Sequence, residues 1–130
     1  MKFAIQINSA PYQTQGSDTA FQFIRAALRN GHEIVRVFFY HEGVYNGLGY
    51  AMPPDDERPV VKRWSDLARE HGIDLVICIS AAQRRGLLSR EEAVRVGKAD
   101  TDLAEGFRIA GLGLWVEACL NADRFLIFGG

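Results

Sequence analysis

Two thiols, Cys78 and Cys119, are the residues best suited to covalent chemistry in this chain. Cys78 lies near the carboxyl end of an apolar run, Asp74 to Ile79 (DLVICI), and is followed by ISAAQRRG, a segment able to open into a helix. A thiol placed there feels the positive end of that helix and the guanidinium groups of Arg84 and Arg85. Both favour the thiolate, which is the nucleophilic form. His41 follows an earlier apolar run and is a candidate for the same edge, where an imidazole relays protons or stabilises a thiolate. Each residue also has a plainer reading. Cys78 reads as a small hydrophobe in a core strand, His41 as a solvated loop residue, and Arg84-Arg85 as a solvated helix start.

Other chemistries find less support. Cys119 sits in a helical stripe with Leu112, Trp115, Val116 and Leu120, which predicts that its side chain packs against a sheet. The two cysteines form no CxxC and belong to no His/Cys set with zinc spacing, so no metal site is expected. GxSxG is absent, and no papain-like Cys-His-Asn set is identifiable. GLGLWV (Gly111 to Val116) begins like a dinucleotide fingerprint, but Val116 stands where the last Gly belongs. The loop from Ser9 to Thr19 offers hydroxyls ahead of a helix N-terminus, a place for a phosphate or a flavin phosphate, without Walker spacing. Asp55, Asp56 and Glu57 cluster without the pattern of a paired acid/base site and are assigned to solvent or a partner surface. His32 and His71 read as structural, in a turn and in a last helical turn.

These residues need elements to hold them. Lys2 to Asn8 predicts a strand, followed by the breaker-rich SAPYQTQGSD. Ser17 or Asp18 then caps a helix carried by Phe21, Ile24 and Leu28 and stopped at Asn30-Gly31. Ile34 to Tyr40 (IVRVFFY) predicts a strand covered on both faces. His41 to Pro59 is a long connection without periodicity. A helix with the stripe Val60, Trp64, Leu67, Ala68 and His71 follows Pro59 and ends at Gly72, leading into the third strand. Ser89 to Glu92 has capping-box spacing. Phe107 to Ile109, the Leu112 stripe and Arg124 to Phe128 complete a strand, a helix and a last strand.

Strands alternating with helices predict an α/β protein, a three-layer α/β/α sandwich with a mostly parallel sheet of about five strands. Sites in such sheets form outside the carboxyl ends of the strands. Asn8, Tyr40 to His41 and Cys78 to Ser80 all fall near that edge.

With 130 residues the chain fits a single domain, residues 1–130, large enough to build a core without disulfides. A hydrophobic share of 48% and a charged share of 24% exclude a disordered chain. A net charge of −1 supplies no global field for phosphate backbones, so no direct nucleic-acid binding is expected. The longest uncharged stretch, Phe3 to Ser17, carries Gln6, Asn8, Gln13 and Gln15 and cannot span a bilayer, so no membrane is expected either. MKFAIQIN does not read as a secretion signal. Two cysteines without such a signal place the chain in a reducing cytoplasm.

Several strings carry a resemblance: MKFAIQIN, PYQTQ, SDTAFQF, the GHEI and RVFFYHEGVYN of residues 31–46, the RW before the third strand, Cys78 with SAAQRRG, and FRIAGLG. Together they span the chain, which resembles the DsrE/TusD family of sulfurtransferase subunits, and within it the DsrE type. The resemblance implies a single DsrE-like sulfur-relay domain whose persulfide-forming cysteine falls on Cys78. It implies a hetero-hexamer with DsrF- and DsrH-like (TusC- and TusB-like) subunits, two copies of each. It further implies a TusA-like sulfur donor and a DsrC- or TusE-like acceptor, with no metal or redox cofactor required. The pathway so implied is dissimilatory sulfur oxidation. A TusD-like part in forming 2-thiouridine in tRNA, and a scaffolding subunit whose partners carry the reactive thiol, are the alternatives.

Overall fold

Parallel neighbours cannot be joined by hairpins, so each strand must be followed by a crossover, and the alternation in the sequence is of that kind. The computed structural model describes residues 1–57 and 59–129. Its strands are β1 (Lys2–Ile7), β2 (Glu33–Phe39), β3 (Leu75–Cys78), β4 (Phe107–Ala110) and β5 (Arg124–Phe128). They form one sheet in the order β4-β3-β2-β1-β5, with every neighbouring pair parallel. The crossovers hold α1 (Gly16–Arg29), a 3₁₀ helix (His41–Gly47), α2 (Val60–His71), α3 (Ile79–Arg84), α4 (Arg90–Arg95) and α5 (Gly113–Asn121).

Alternation along the strands sorts the side chains onto two faces. On one face Phe3 meets Phe23 of α1 and Phe39 meets Trp64 of α2, each pair edge-on with ring centroids 5.3 Å apart. Phe21 of α1 closes against the same Trp64 at 5.1 Å. On the other face Phe38 lies against Trp115 of α5 at 6.1 Å. Helices therefore flank both faces as expected, but unequally: α1 and α2 share one face and α5 crosses the other. Arg36 fixes that crossing, its guanidinium donating to Asp74 at 2.6 Å and to the Leu114 carbonyl at 2.8 Å.

Local chemistry explains most boundaries. Gly72 closes α2 in the left-handed region, φ 66°, where a side chain would be strained. Ser89 caps α4 by accepting from the Glu92 backbone N–H, while the Glu92 carboxylate turns to Arg95 instead of completing a capping box.

Four expectations need correction. α1 begins at Gly16 with Gln15 at its cap and no side-chain cap; Ser17 instead donates to the Ser9 carbonyl at 2.7 Å. The connection after β2 is regular over its first seven residues, where it forms the 3₁₀ helix. His71 is exposed, leaving Val60, Val61, Trp64 and Leu67 as the buried side of α2. The stripe on α5 is not buried: only Ala118 is, Cys119 is half-buried, and Leu112, Val116 and Leu120 are 47%, 53% and 81% exposed.

Candidate functional site

Cys78 is the last residue of β3, in register with Ala110 of β4, and also the cap position of α3. Strand therefore passes into helix with no intervening loop. The register of Phe39 with Ile77 sets Tyr40 beside Cys78 at the carboxyl end of β2. Ile77 points to the face of the 3₁₀ helix, where a Cβ on Gly47 would come within 2.9 Å of its Cδ1. By alternation the Cys78 side chain points to the α5 face. It is only 4% exposed.

The 3₁₀ helix is pressed onto the end of β1. A Cβ on Gly43 would stand 2.0 Å from the Ile7 carbonyl oxygen, so only glycine fits there. The polar centre behind it is Asn46, fully buried: its amide donates to the carbonyls of Ser9 (3.0 Å) and Gly43 (2.9 Å) and to Ser17 Oγ (3.1 Å). One side chain thus joins the loop after β1, the start of α1 and the 3₁₀ helix. Sequence reading missed it, because an asparagine among glycines reads as a turn former. Tyr12, at φ 70°, adds a further tie: its hydroxyl accepts from the Val60 N–H at the start of α2.

The predicted neighbours of Cys78 reach this edge in different ways. His41 is exposed at φ 49°, its ring stacked on Tyr40 with centroids 4.1 Å apart. Arg85 reaches the same edge but gives its guanidinium to Glu42, at 2.7 and 3.1 Å, and to the Ala81 carbonyl at 3.0 Å. Arg84 is exposed at the last residue of α3, about 9 Å along the helix axis from Cys78. Among the described residues none of the three is hydrogen-bonded to the thiol. Asn8 accepts from Gln6 at 2.9 Å, and Ser80 is exposed in the first turn of α3.

Both cysteines are free thiols. Burial pushes the Cys119 thiol above its ordinary pKa, which favours the uncharged, less nucleophilic form. The hydroxyl loop offers little to a phosphate. Ser9 and Ser17 are buried, and Tyr12 to Gln15 border an open hollow of about 340 Å³ whose other lining includes the acids Asp18 and Glu57. No helix among the described residues is long and apolar enough to cross a membrane.

Comparison with known proteins follows the same lines. The model of the DsrE/DsrF-like family matches residues 1–128. A curated relative from Allochromatium vinosum, named "Putative sulfurtransferase DsrE", is 54% identical over 129 residues, 99% of each chain. Among solved structures, the crystal structure of the ychN protein from E. coli superposes with a TM-score of 0.79, covering 98% of this chain and 99% of that one. At 21% identity this last likeness is one of fold alone.

Proposed function

The chain belongs to the DsrE/DsrF-like family, and from that premise we propose that it is a sulfur-relay subunit in which Cys78 carries sulfane sulfur as a persulfide. The supporting observation is the 54% identity, from end to end, to a relative whose name reads as a sulfurtransferase. The Cys78 thiolate attacks the outer sulfur of a persulfide on a TusA-like carrier. A bond forms between Cys78 Sγ and that sulfur, the carrier's sulfur–sulfur bond breaks, and the carrier leaves as a thiolate. The same exchange in the forward direction hands the sulfur to a DsrC- or TusE-like acceptor thiolate and restores Cys78. Each step conserves sulfur oxidation state overall, so no external oxidant or reductant enters.

Dissimilatory sulfur oxidation in the cytoplasm is the setting proposed, with DsrF- and DsrH-like subunits completing a hetero-hexamer. Cys78 is the cap residue of α3, next to the open N–H groups of that helix's first turn. Arg85 contributes only when released from Glu42, and His41 stands by as a proton relay on the same edge. A second reading, a scaffold whose partners hold the working thiol, draws on one observation: Cys78 is nearly closed to solvent.

Intact mass after incubation with a persulfidated carrier separates the two. One added sulfur that maps to Cys78, persists in Cys119→Ser and vanishes in Cys78→Ser is the expected result. A chain that gains no sulfur while its partner subunits do gain it returns the scaffold.

A further inference from the structure

α1 and α2 lie side by side on one face of the sheet, and the groove between them is lined by cations over an apolar floor. α1 turns Phe21, Arg25, Leu28 and Arg29 toward it. α2 turns Arg63, Leu67 and His71. Steps of three and four residues place each set on one helical face. The hollow measures about 350 Å³ and runs from the middle of both helices to their last residues, Arg29 and His71. That end leads into the amino ends of β2 and β3, so the groove lies away from Cys78, which closes the carboxyl end of β3.

Phe21 and Leu67, 6% and 4% exposed, form the floor. The Arg63 guanidinium lies over the Phe21 ring at 4.0 Å and that of Arg25 at 5.9 Å, within reach of cation–π attraction. Arg63 is further fixed by Asp18 at 3.0 Å, and its Nη2 is buried without an acceptor among the described residues. Arg25 and Arg29 are exposed, one turn apart, and no described carboxylate engages either of them. Of the acids in the lining, Asp66 already receives Lys62 at 3.1 Å and Arg69 at 2.9 Å, while Glu70 is exposed. The two helices carry five Lys and Arg against three Asp and Glu, in a chain whose net charge is −1. Positive charge is concentrated here and not inherited from the molecule as a whole.

A guanidinium presents paired N–H donors that match a carboxylate or a phosphate. Two of them on one helical face, without counter-charges, suit an oxyanion, and the apolar floor suits a body behind it. Size selects a small molecule: the hollow falls at the lower end of the roughly 300–1,000 Å³ of ligand pockets, and so recessed a floor offers little to the broad surface of another protein. We infer that this groove binds a small organic oxyanion, a carboxylate or phosphate-type head on a compact apolar body, with the head on Arg25 and Arg29 and the body on Phe21, Leu28 and Leu67. The inference goes beyond the sulfur-relay reading and stands without it.

Calorimetric titration of the full chain with phenylphosphonate and with benzoate tests it, one arm for each kind of head. At least one of the two should bind saturably, one per chain, with a Kd of about 1 mM or tighter. Inorganic phosphate, a head without a body, should bind at least about tenfold more weakly, and benzylamine, a body of opposite charge, should not bind. Arg25→Gln with Arg29→Gln should weaken the bound anion at least about tenfold with an unchanged circular dichroism spectrum, since both side chains are exposed and lack an ion pair. Glu70→Gln should tighten it by removing a like charge, and Arg90→Gln, on α4, should leave it unchanged. Neither anion saturating below about 10 mM overturns the inference. So does an affinity indifferent to the arginine pair, equal uptake of benzylamine, inorganic phosphate binding as tightly as the organic anions, or an acidic peptide that binds where both small anions fail. Binding that persists in Cys78→Ser is expected; a chain that binds the anion but gains no sulfur keeps the groove and loses the relay, and the reverse result does the opposite.

Discussion

The Trp64 indole N–H donates to Asn46 Oδ1 at 3.1 Å, and both side chains are wholly buried. With its amide hydrogens given to Ser9, Gly43 and Ser17, Asn46 ties α2 to the carboxyl edge of β1. Asn46→Ala strands a buried indole donor and takes a donor away from the Ser9 and Gly43 carbonyls and from Ser17 Oγ. It should cost about 1–3 kcal/mol in urea unfolding, more than any exposed substitution in the 3₁₀ helix, such as Glu42→Ala.

Glu42 engages the Arg85 guanidinium at 2.7 Å and is itself an acid on the candidate edge. Glu42→Gln removes a negative charge and frees a positive one, and both changes favour a thiolate. Single-turnover sulfur loading or alkylation of Cys78, followed at neutral pH in a Cys119→Ser background, should quicken roughly two- to fivefold. An unchanged or slower rate would remove Arg85 from the account.

Asp74 receives hydrogen bonds from Arg108, then Arg36, which hold its carboxyl below the ordinary 3.8. A depressed folded-state pKa stabilises the fold at every pH above the unfolded value and loses that contribution as pH falls through the folded value. Stability should therefore decline below about pH 4. Asp74→Asn should flatten that acid limb while lowering neutral-pH stability by about 1 kcal/mol. Equilibrium unfolding across the acid range compares the two curves.

Burial raises the Cys119 pKa above 9.0. In Cys78→Ser, alkylation of Cys119 should be slower at pH 7 than that of a free thiol and reach half its limiting rate only above pH 9. A neutral-pH half-point would contradict the burial seen here.

Much of this was legible in residue patterns, and the omissions have physical causes. The strand ending in Cys78, the helix that follows it, and the stop at Gly72 follow from local apolar runs and backbone preference. The partnership of Arg85 with Glu42 does not, since it joins residues 43 positions apart, and nothing local to either announces the other. Asn46 was invisible for the same reason. The α5 stripe shows a subtler limit: helical spacing reports that a face needs cover without saying what supplies it, and here the sheet takes only Ala118 fully.

The sheet order also sets a timetable for synthesis. β1 is made before the other four strands and sits between β2 and β5, and its outer neighbour is the last of the five to be made: the Asp123 N–H donates to the Lys2 carbonyl, and Phe3 pairs with Arg124. A growing polypeptide therefore carries one side of β1 unpaired, and that side stays open until β5 has been made.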